Sequence, residues 1–142
     1  MTPAQRAAVK AEAFSWIGTK FRHGARIKGV GVDCGQLLVA VFSAAHLIEA
    51  FAPESYPPDW FLHRDRERYL EELTKYADAV EPLYEIGDIL TYRFGRAVSH
   101  AGIYVGEGWI VHADGRAKIV NRSQISMAGL AQRFAGAYRL RG

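Results

Sequence analysis

Apolar residues fall along this chain in two rhythms. Up to about residue 50 they recur every three or four positions, and beyond about residue 80 they come in short runs between turns. The first rhythm predicts helices and the second strands. Thr2, Pro3 and Gln5 supply a cap, a first-turn proline and the closure of a capping box. Val9, Ala13, Trp16 and Ile17 then form an apolar stripe, which Gly18 can end. Residues 19 to 32 read as a loop with several glycines. Asp33 reads as the cap of a second helix, with Gln36 three residues on. Leu37, Leu38, Val41, Phe42, Ala45 and Ile48 make that helix apolar nearly all round, which predicts a buried central helix. Pro53 to Pro58 break the chain. A third helix is predicted from about Asp59 to Tyr76, where Glu71 and Lys75 have a favourable spacing and the arginines and glutamates form a solvated face. Strands are predicted over 87–94, 100–105, 109–113, 117–121 and 135–140. Short turns between them imply an antiparallel meander. Helices first and strands later is the α+β pattern, and one domain over residues 1–142 is expected.

Composition narrows the picture. The 142 residues suit one domain with a real core, and 49% hydrophobic with 23% charged residues is ordinary for a globular protein. The single cysteine excludes an internal disulfide and an all-cysteine zinc site within one chain. The N-terminus lacks the apolar run of a signal peptide, and no stretch approaches a membrane span. The net charge of +3 fits an acidic surface or polymer. Arginines and lysines are scattered and form no nucleic-acid motif, so no nucleic-acid partner is expected.

The candidate chemistry centres on that cysteine. Cys34 opens the second helix after Gly29-Val30-Gly31-Val32-Asp33. A helix N-terminus carries partial positive charge and unpaired N–H groups, which stabilise a thiolate and can hold an oxyanion. Far downstream His100 begins a strand, and a lone cysteine with a distant histidine is the outline of a cysteine hydrolase. The base needs an orienting group. His112 is the first candidate and Asp114, in the next turn, the second. Side chains alternate faces along a strand, so parity tests the pairing. A two-residue Glu107-Gly108 loop would set 103 opposite 112 and turn His112 away from His100. A three-residue loop from Gly106 to Gly108 would set 102 opposite 112, one diagonal step from His100 on the same face. The catalytic reading therefore predicts the second register, with Gly102 leaving open space beside both histidines. Blander readings stand beside these. Cys34 can be a small buried hydrophobe. Asp33 is explained as a cap and Asp88 as turn chemistry. His23 either rims the site or is exposed, and His46 and His63 sit on helices. Asn121-Arg122-Ser123 matches a short glycosylation pattern. A zinc site at Cys34, His100 and His112 is conceivable, though no local spacing favours it.

Asp33-Cys34 before an apolar helix, Gly87-Asp88-Ile89-Leu90, Ser99-His100-Ala101-Gly102-Ile103-Tyr104-Val105-Gly106 and Ile110-Val111-His112-Ala113 occur in this order. Together they resemble the NlpC-type cell-wall peptidases, which are papain-like cysteine peptidases. The resemblance runs from about Trp16 to Tyr138. Trp16-Ile17-Gly18-Thr19-Lys20-Phe21-Arg22-His23-Gly24-Ala25, Lys28 to Gly31, Pro57-Pro58-Asp59-Trp60 and Phe134 to Arg139 look like the branch encoded by tailed phages and gene-transfer agents. The resemblance implies N-terminal helices packed on a five- to six-stranded antiparallel sheet. It implies Cys34 as nucleophile, His100 as base and His112 as orienter, with no cofactor. Asp33, Gly35, Phe21 and His23 are the candidate substrate-binding residues. The implied activity is hydrolysis of a peptidoglycan stem-peptide amide, often next to D-glutamate or diaminopimelate. The implied partners are tail or baseplate proteins. The enzyme would be made in the bacterial cytoplasm without a signal peptide and carried by the virion tail to the host periplasm. Two departures from the family's pattern stand out: Gly35-Gln36 replaces Ser-Gly after the cysteine, and Phe21 replaces a tyrosine. The alternative class is a tail or baseplate assembly module that keeps the fold with weak or no activity, using the helix near 59–76 as contact surface. Acyl transfer by the same thiol is a third reading.

Overall fold

In the computed structural model, residues 1–48, 75–95 and 97–141 are described. The N-terminal capping box forms as its residues dictate. Thr2 Oγ1 accepts from the Gln5 amide at 3.1 Å, and Gln5 Oε1 accepts from the Thr2 amide at 2.7 Å. Helix α1 then runs Pro3–Ser15 and buries Val9 and Ala13, with Trp16 at its C-cap also buried. The loop that follows has more structure than expected. A small antiparallel hairpin, β1 (Arg26–Ile27) and β2 (Gly31–Val32), forms within it, and Lys20 bridges to Ile119 while Phe21 bridges to Val32. Two-residue strands carry no periodic signal, so the sequence pattern cannot mark them.

Helix α2 runs Cys34–Ala44 and buries Leu37, Leu38, Val39, Val41 and Phe42, as its apolar girth requires. It stops earlier than expected. Ala45 is its C-cap and His46 takes a positive φ of 60°, so Ala45, His46 and Ile48 lie past the helical turns. An apolar pattern continues through such a stop because residues beyond a helix end can still pack on the core. Of the predicted third helix, residues 59–74, with His63 and the prolines before it, lie outside the described residues. Lys75 and Tyr76 lie in a turn.

The sheet has six antiparallel strands: β3 (Ala77–Val80), β4 (Ile89–Phe94), β5 (Ala97–Gly106), β6 (Trp109–Asp114), β7 (Ile119–Gln124) and β8 (Phe134–Leu140). Three of the predicted strands form within two residues of their expected bounds, the one expected at 100–105 starts three residues earlier as β5, and the one expected at 117–121 slides to β7. β3 is an additional strand. The order β3-β8-β4-β5-β6-β7 makes β4 to β7 a meander, but β8 crosses back to lie between β3 and β4. Asp88 shows why. Its fully buried carboxylate accepts Arg139 Nε at 2.8 Å and Nη2 at 2.9 Å, and also accepts the Glu85 amide at 2.8 Å. A buried charge needs such a partner, so Asp88 is both a turn residue and the clamp that holds β8 beside β4.

Alternation along the strands gives the sheet two unlike faces. Ile89, Ala101, Ile103, Val105, Val111 and Ala113 pack under α1 and α2 with Val9, Leu37, Val41 and Phe42. On the other face Leu90, Tyr92 and Ile110 pack with Leu130 and Ala137. His100 and His112 share the parity of this second set.

Candidate active site

Asp33 builds the end of α2 that carries Cys34. Its Oδ1 accepts from the Gln36 amide at 2.9 Å, and its Oδ2 accepts from the Gly24 amide at 2.6 Å. One buried carboxylate thus caps the helix and ties down the preceding loop. The Leu37 amide donates to the Asp33 carbonyl at 2.9 Å and starts the helical ladder. The amides of Cys34 and Gly35 precede that first bond, so they point out of the helix end. Cys34 itself is half-buried. Its Sγ lies 3.5 Å from the carbonyl oxygen of Ser99, which belongs to the peptide unit joining Ser99 to His100. That carbonyl sits at an irregularity. Tyr92 pairs with His100 but Arg93 pairs with Val98, so Ser99 is an extra, bulged residue in β5. A bulge next to a site re-aims the groups around it.

The histidine pair follows from the neighbouring hairpin. Ile103 pairs with Val111 and Tyr104 with Ile110, which continues to 102 opposite 112, the register that places both histidines on one face. The route differs from expectation. Gly106 pairs with Trp109 across a two-residue turn in which Glu107 and Gly108 both have positive φ, at 53° and 85°. Such a turn matches the twist of the strands it joins. The one-residue offset is recovered by a bulge at Val105. Gly102 does not leave open space. A β-carbon there would stand 2.8 Å from Ile110 Cδ1 and 3.1 Å from His112 Cβ, so the glycine admits the close approach of β6.

His100 Nε2 and His112 Nδ1 lie 2.7 Å apart, and His112 Nε2 lies 2.9 Å from Ser123 Oγ. All three side chains are buried. One tautomer set satisfies the chain and leaves His100 basic: His100 Nε2–H donates to His112 Nδ1, and His112 Nε2–H donates to Ser123 Oγ. His100 Nδ1 is then the atom that can take a proton from a thiol. Burial, and after it the neighbouring His112, push the His100 pKa down to about 3 against the pull of Asp114. Burial also lowers His112, with Asp114 and Asn121 opposing. Both rings therefore rest neutral. Asp114 does not reach His100. Its Oδ1 accepts from the Arg116 amide at 2.9 Å and the Ala117 amide at 3.3 Å, and these bonds outweigh its burial and hold its carboxyl below the usual range.

Around the pair, the Tyr92 ring lies 6.0 Å and the Phe94 ring 5.5 Å from the His100 ring, centre to centre. The Tyr92 hydroxyl is buried without a hydrogen-bond partner, and burial raises its pKa, so it stays protonated. Of the candidate substrate contacts, Gly35 shares the first turn of α2 with Cys34, and Phe21 packs half-buried against the helix-side core. His23 is exposed in the turn before Gly24. Sequence reading missed Ser123 because the strand was taken to stop at 121. Carried two residues further, the alternation that links the histidines would have found it, and it also places Asn121 opposite His112.

The chain matches the model of the NlpC/P60 family over residues 14–139. No curated protein matches it in sequence. Solved structures share its fold. An NLP/P60-family protein similar to a lipoprotein, from Staphylococcus aureus, has a TM-score of 0.72 at 16% identity, over 100% of this chain and 43% of its own. An NlpC/P60 family protein from Bacillus cereus has a TM-score of 0.71 at 19% identity, over 99% of this chain and 41% of its own. This chain thus spans less than half the length of these two. The peptidoglycan hydrolase RipB from Mycobacterium tuberculosis has a TM-score of 0.66 at 20% identity, over 100% of this chain and 70% of its own.

Proposed function

This chain belongs to the NlpC/P60 family, and from that premise we propose that it is a cysteine endopeptidase that cuts an amide in the peptidoglycan stem peptide. The observation that carries the reading is the Cys34 thiol at the start of α2, 3.5 Å from the carbonyl that joins Ser99 to His100. His100 is in turn hydrogen-bonded to His112 at 2.7 Å. The substrate class is supported by the family and by the name of RipB, a peptidoglycan hydrolase of the same fold.

The steps follow from these groups. His100 Nδ1 takes the Cys34 proton, and Sγ attacks the carbonyl carbon. The new imidazolium is held by the lone pair of His112 Nδ1 and by the nearby negative charge of Asp114. The tetrahedral oxyanion accepts from the amides at the start of α2, among them that of Cys34, and one such donor is worth about 3 kcal/mol. His100 gives its proton to the amine as the C–N bond breaks, which leaves a thioester. Water, losing a proton to His100, attacks the thioester, and the thiol takes the proton back as the acid departs. A neutral resting His100 suits a base that acts on the thiol only when substrate is present.

The setting in this reading is the tail tip or baseplate of a phage-like particle, which carries the enzyme to the host periplasm and opens the wall for DNA delivery. Its support is the resemblance of residues 16–25, 28–31, 57–60 and 134–139 to that branch. Among the described residues no helix is long and apolar enough to cross a membrane. The test is incubation of the wild type and Cys34→Ala with peptidoglycan, with mass spectrometry of the released fragments. Fragments from the wild type alone are expected and name the bond cut. Fragments from both proteins overturn the nucleophile assignment. Fragments from neither favour the assembly-module reading.

A further inference from the structure

His112 faces more than Ser123. Asn121 of β7 stands directly opposite it, and Asp114 lies two residues along β6 on the same face. Burial of the Asp114 carboxyl is outweighed by its bonds from the Arg116 and Ala117 amides, so it stays an anion. The Asn121 Nδ2 group lies 3.5 Å from Asp114 Oδ2. A carboxylate only accepts, so it draws the NH₂ side of the amide and leaves Oδ1 to point elsewhere. That oxygen is buried and has no hydrogen-bond partner among the described residues. A buried acceptor kept without a partner costs free energy. Its effect falls on the ring opposite. Burial lowers the His112 pKa, and Asp114 and then Asn121 oppose that fall. A group raises the pKa of an imidazole by attracting its N–H, which the amide oxygen does and the NH₂ group does not.

The His100–His112–Ser123 chain can run in two directions. In one, His112 Nε2–H donates to Ser123 and His100 Nε2–H donates to His112 Nδ1, which leaves His100 Nδ1 free. In the other, Ser123 donates to His112 Nε2 and His112 Nδ1–H donates to His100 Nε2. His100 Nδ1 then already holds a proton and is no base. The same two contacts, of 2.7 Å and 2.9 Å, serve either direction. A serine hydroxyl donates as well as it accepts, so Ser123 by itself does not choose. An amide oxygen accepts only. His112 Nδ1 faces His100 on β5 and Nε2 faces Ser123 on β7, the strand that also carries Asn121.

We propose that Asn121 is a positioning residue for the reaction: its carbonyl, aimed by Asp114, holds the His112 proton on Nε2 and so keeps His100 Nδ1 free to take the Cys34 proton. The inference rests on the hydrolase reading and adds to it the group that sets the direction of the histidine chain. Asn121 acts through His112 and touches no substrate.

The test reads the tautomers directly, by nuclear magnetic resonance of protein labelled with ¹⁵N-histidine, at neutral pH and without substrate. In the wild type both buried rings are expected in the Nε2–H form. In Asn121→Leu, Nδ1–H forms of His100 and His112 should appear. Turnover of a soluble stem peptide should fall about tenfold in kcat with KM nearly unchanged, as loss of one hydrogen-bonding attraction implies. Asn121→Thr, whose hydroxyl can donate, should give the same signature and serves where leucine disturbs the fold. Asp114→Asn/Asn121→Asp reverses the pair. The amide at 114 can still accept from Arg116 and Ala117 and now donates to the carboxylate at 121, which again offers His112 an acceptor. This double variant should restore the Nε2–H rings and most of kcat. Wild-type rings in the Nδ1–H form overturn the proposal, as do spectra that Asn121→Leu and Asn121→Thr leave unchanged. A loss that the reversed pair does not recover assigns Asn121 to packing alone and overturns it too. If the wild type cuts no peptide, the hydrolase reading fails by itself, and the ring spectra still decide whether Asn121 sets the tautomer.

Discussion

The two faces of the sheet come from the same strands, yet they bury different things. Under α1 and α2 the buried side chains are apolar: Ala101, Ile103 and Val105 of β5 meet Leu37, Val41 and Phe42. One residue out of phase on the same strand stand His100 and Gly102, and across from them His112, reaching Ser123. The first face stabilises by removing apolar area from water and needs only volume and shape. The second buries polar groups, each of which costs free energy unless it has a partner. Its chain of ring nitrogens and the Ser123 hydroxyl is partnered and couples the tautomers of the two rings, while the Tyr92 hydroxyl beside it has no partner. Cys34 belongs to neither face alone. It comes from the helix side and meets β5 at Ser99, where a bulge interrupts the alternation.

The difference is open to experiment from both sides. On the helix face, Phe42→Ala should cost about 3–5 kcal/mol of stability in urea unfolding, as for a large buried aromatic. Activity per folded molecule should stay near the wild-type value. A comparable fall in kcat/KM would mean that the helix face shapes the site directly. On the other face, His112→Ala should behave inversely. It removes the acceptor of His100 Nε2–H, so kcat/KM should fall about a hundredfold or more. The folded protein should persist, because the apolar set under α1 and α2 is untouched, and circular dichroism checks this. An unchanged kcat/KM would remove His112 from the orienting role.

The response to pH tests the histidine face by its charge. In the unfolded chain a histidine takes up its proton near 6.5. In the folded protein burial holds His100 and His112 below that value, His100 at about 3. Between those limits the unfolded state binds more protons, so stability falls as pH is lowered from about 6.5 towards 3 and is fully present above 6.5. Thermal unfolding from pH 7.5 to pH 4 measures this. The slope should be shallower in His112→Ala, which has one such group fewer. A melting temperature that rises on acidification would show the imidazoles to be charged in the fold.

Much of this was written locally. The capping box of Thr2 and Gln5, the Asp33 cap, the apolar girth of α2 and the strand runs after residue 87 each depend on residues within one or two turns of one another, so spacing reveals them. The place of Cys34 at a helix start is legible for the same reason, and parity narrowed the hairpin to the register that pairs the histidines. What parity did not reveal is how that register arises. A bulge at Val105 corrects a two-residue turn, and a bulge is a property of two strands in contact. Likewise Gly102 reads as vacant space until Ile110 and His112 are seen to fill it. Asp88 reads as a turn residue until Arg139, fifty-one positions away, is seen on its carboxylate.

The sequence by itself determined α1, α2 and five of the six strands of the sheet, the position of Cys34 at a helix N-terminus and the candidate partners His100 and His112, since each rests on periodicity or short-range hydrogen bonding. Only the tertiary structure decided the crossing of β8 back beside β4, the placing of the Cys34 thiol at the Ser99 bulge and the addition of Ser123 behind His112. These features join residues far apart in the chain, and their geometry depends on which surfaces pack together, a choice made by the whole core and visible in no single stretch of sequence.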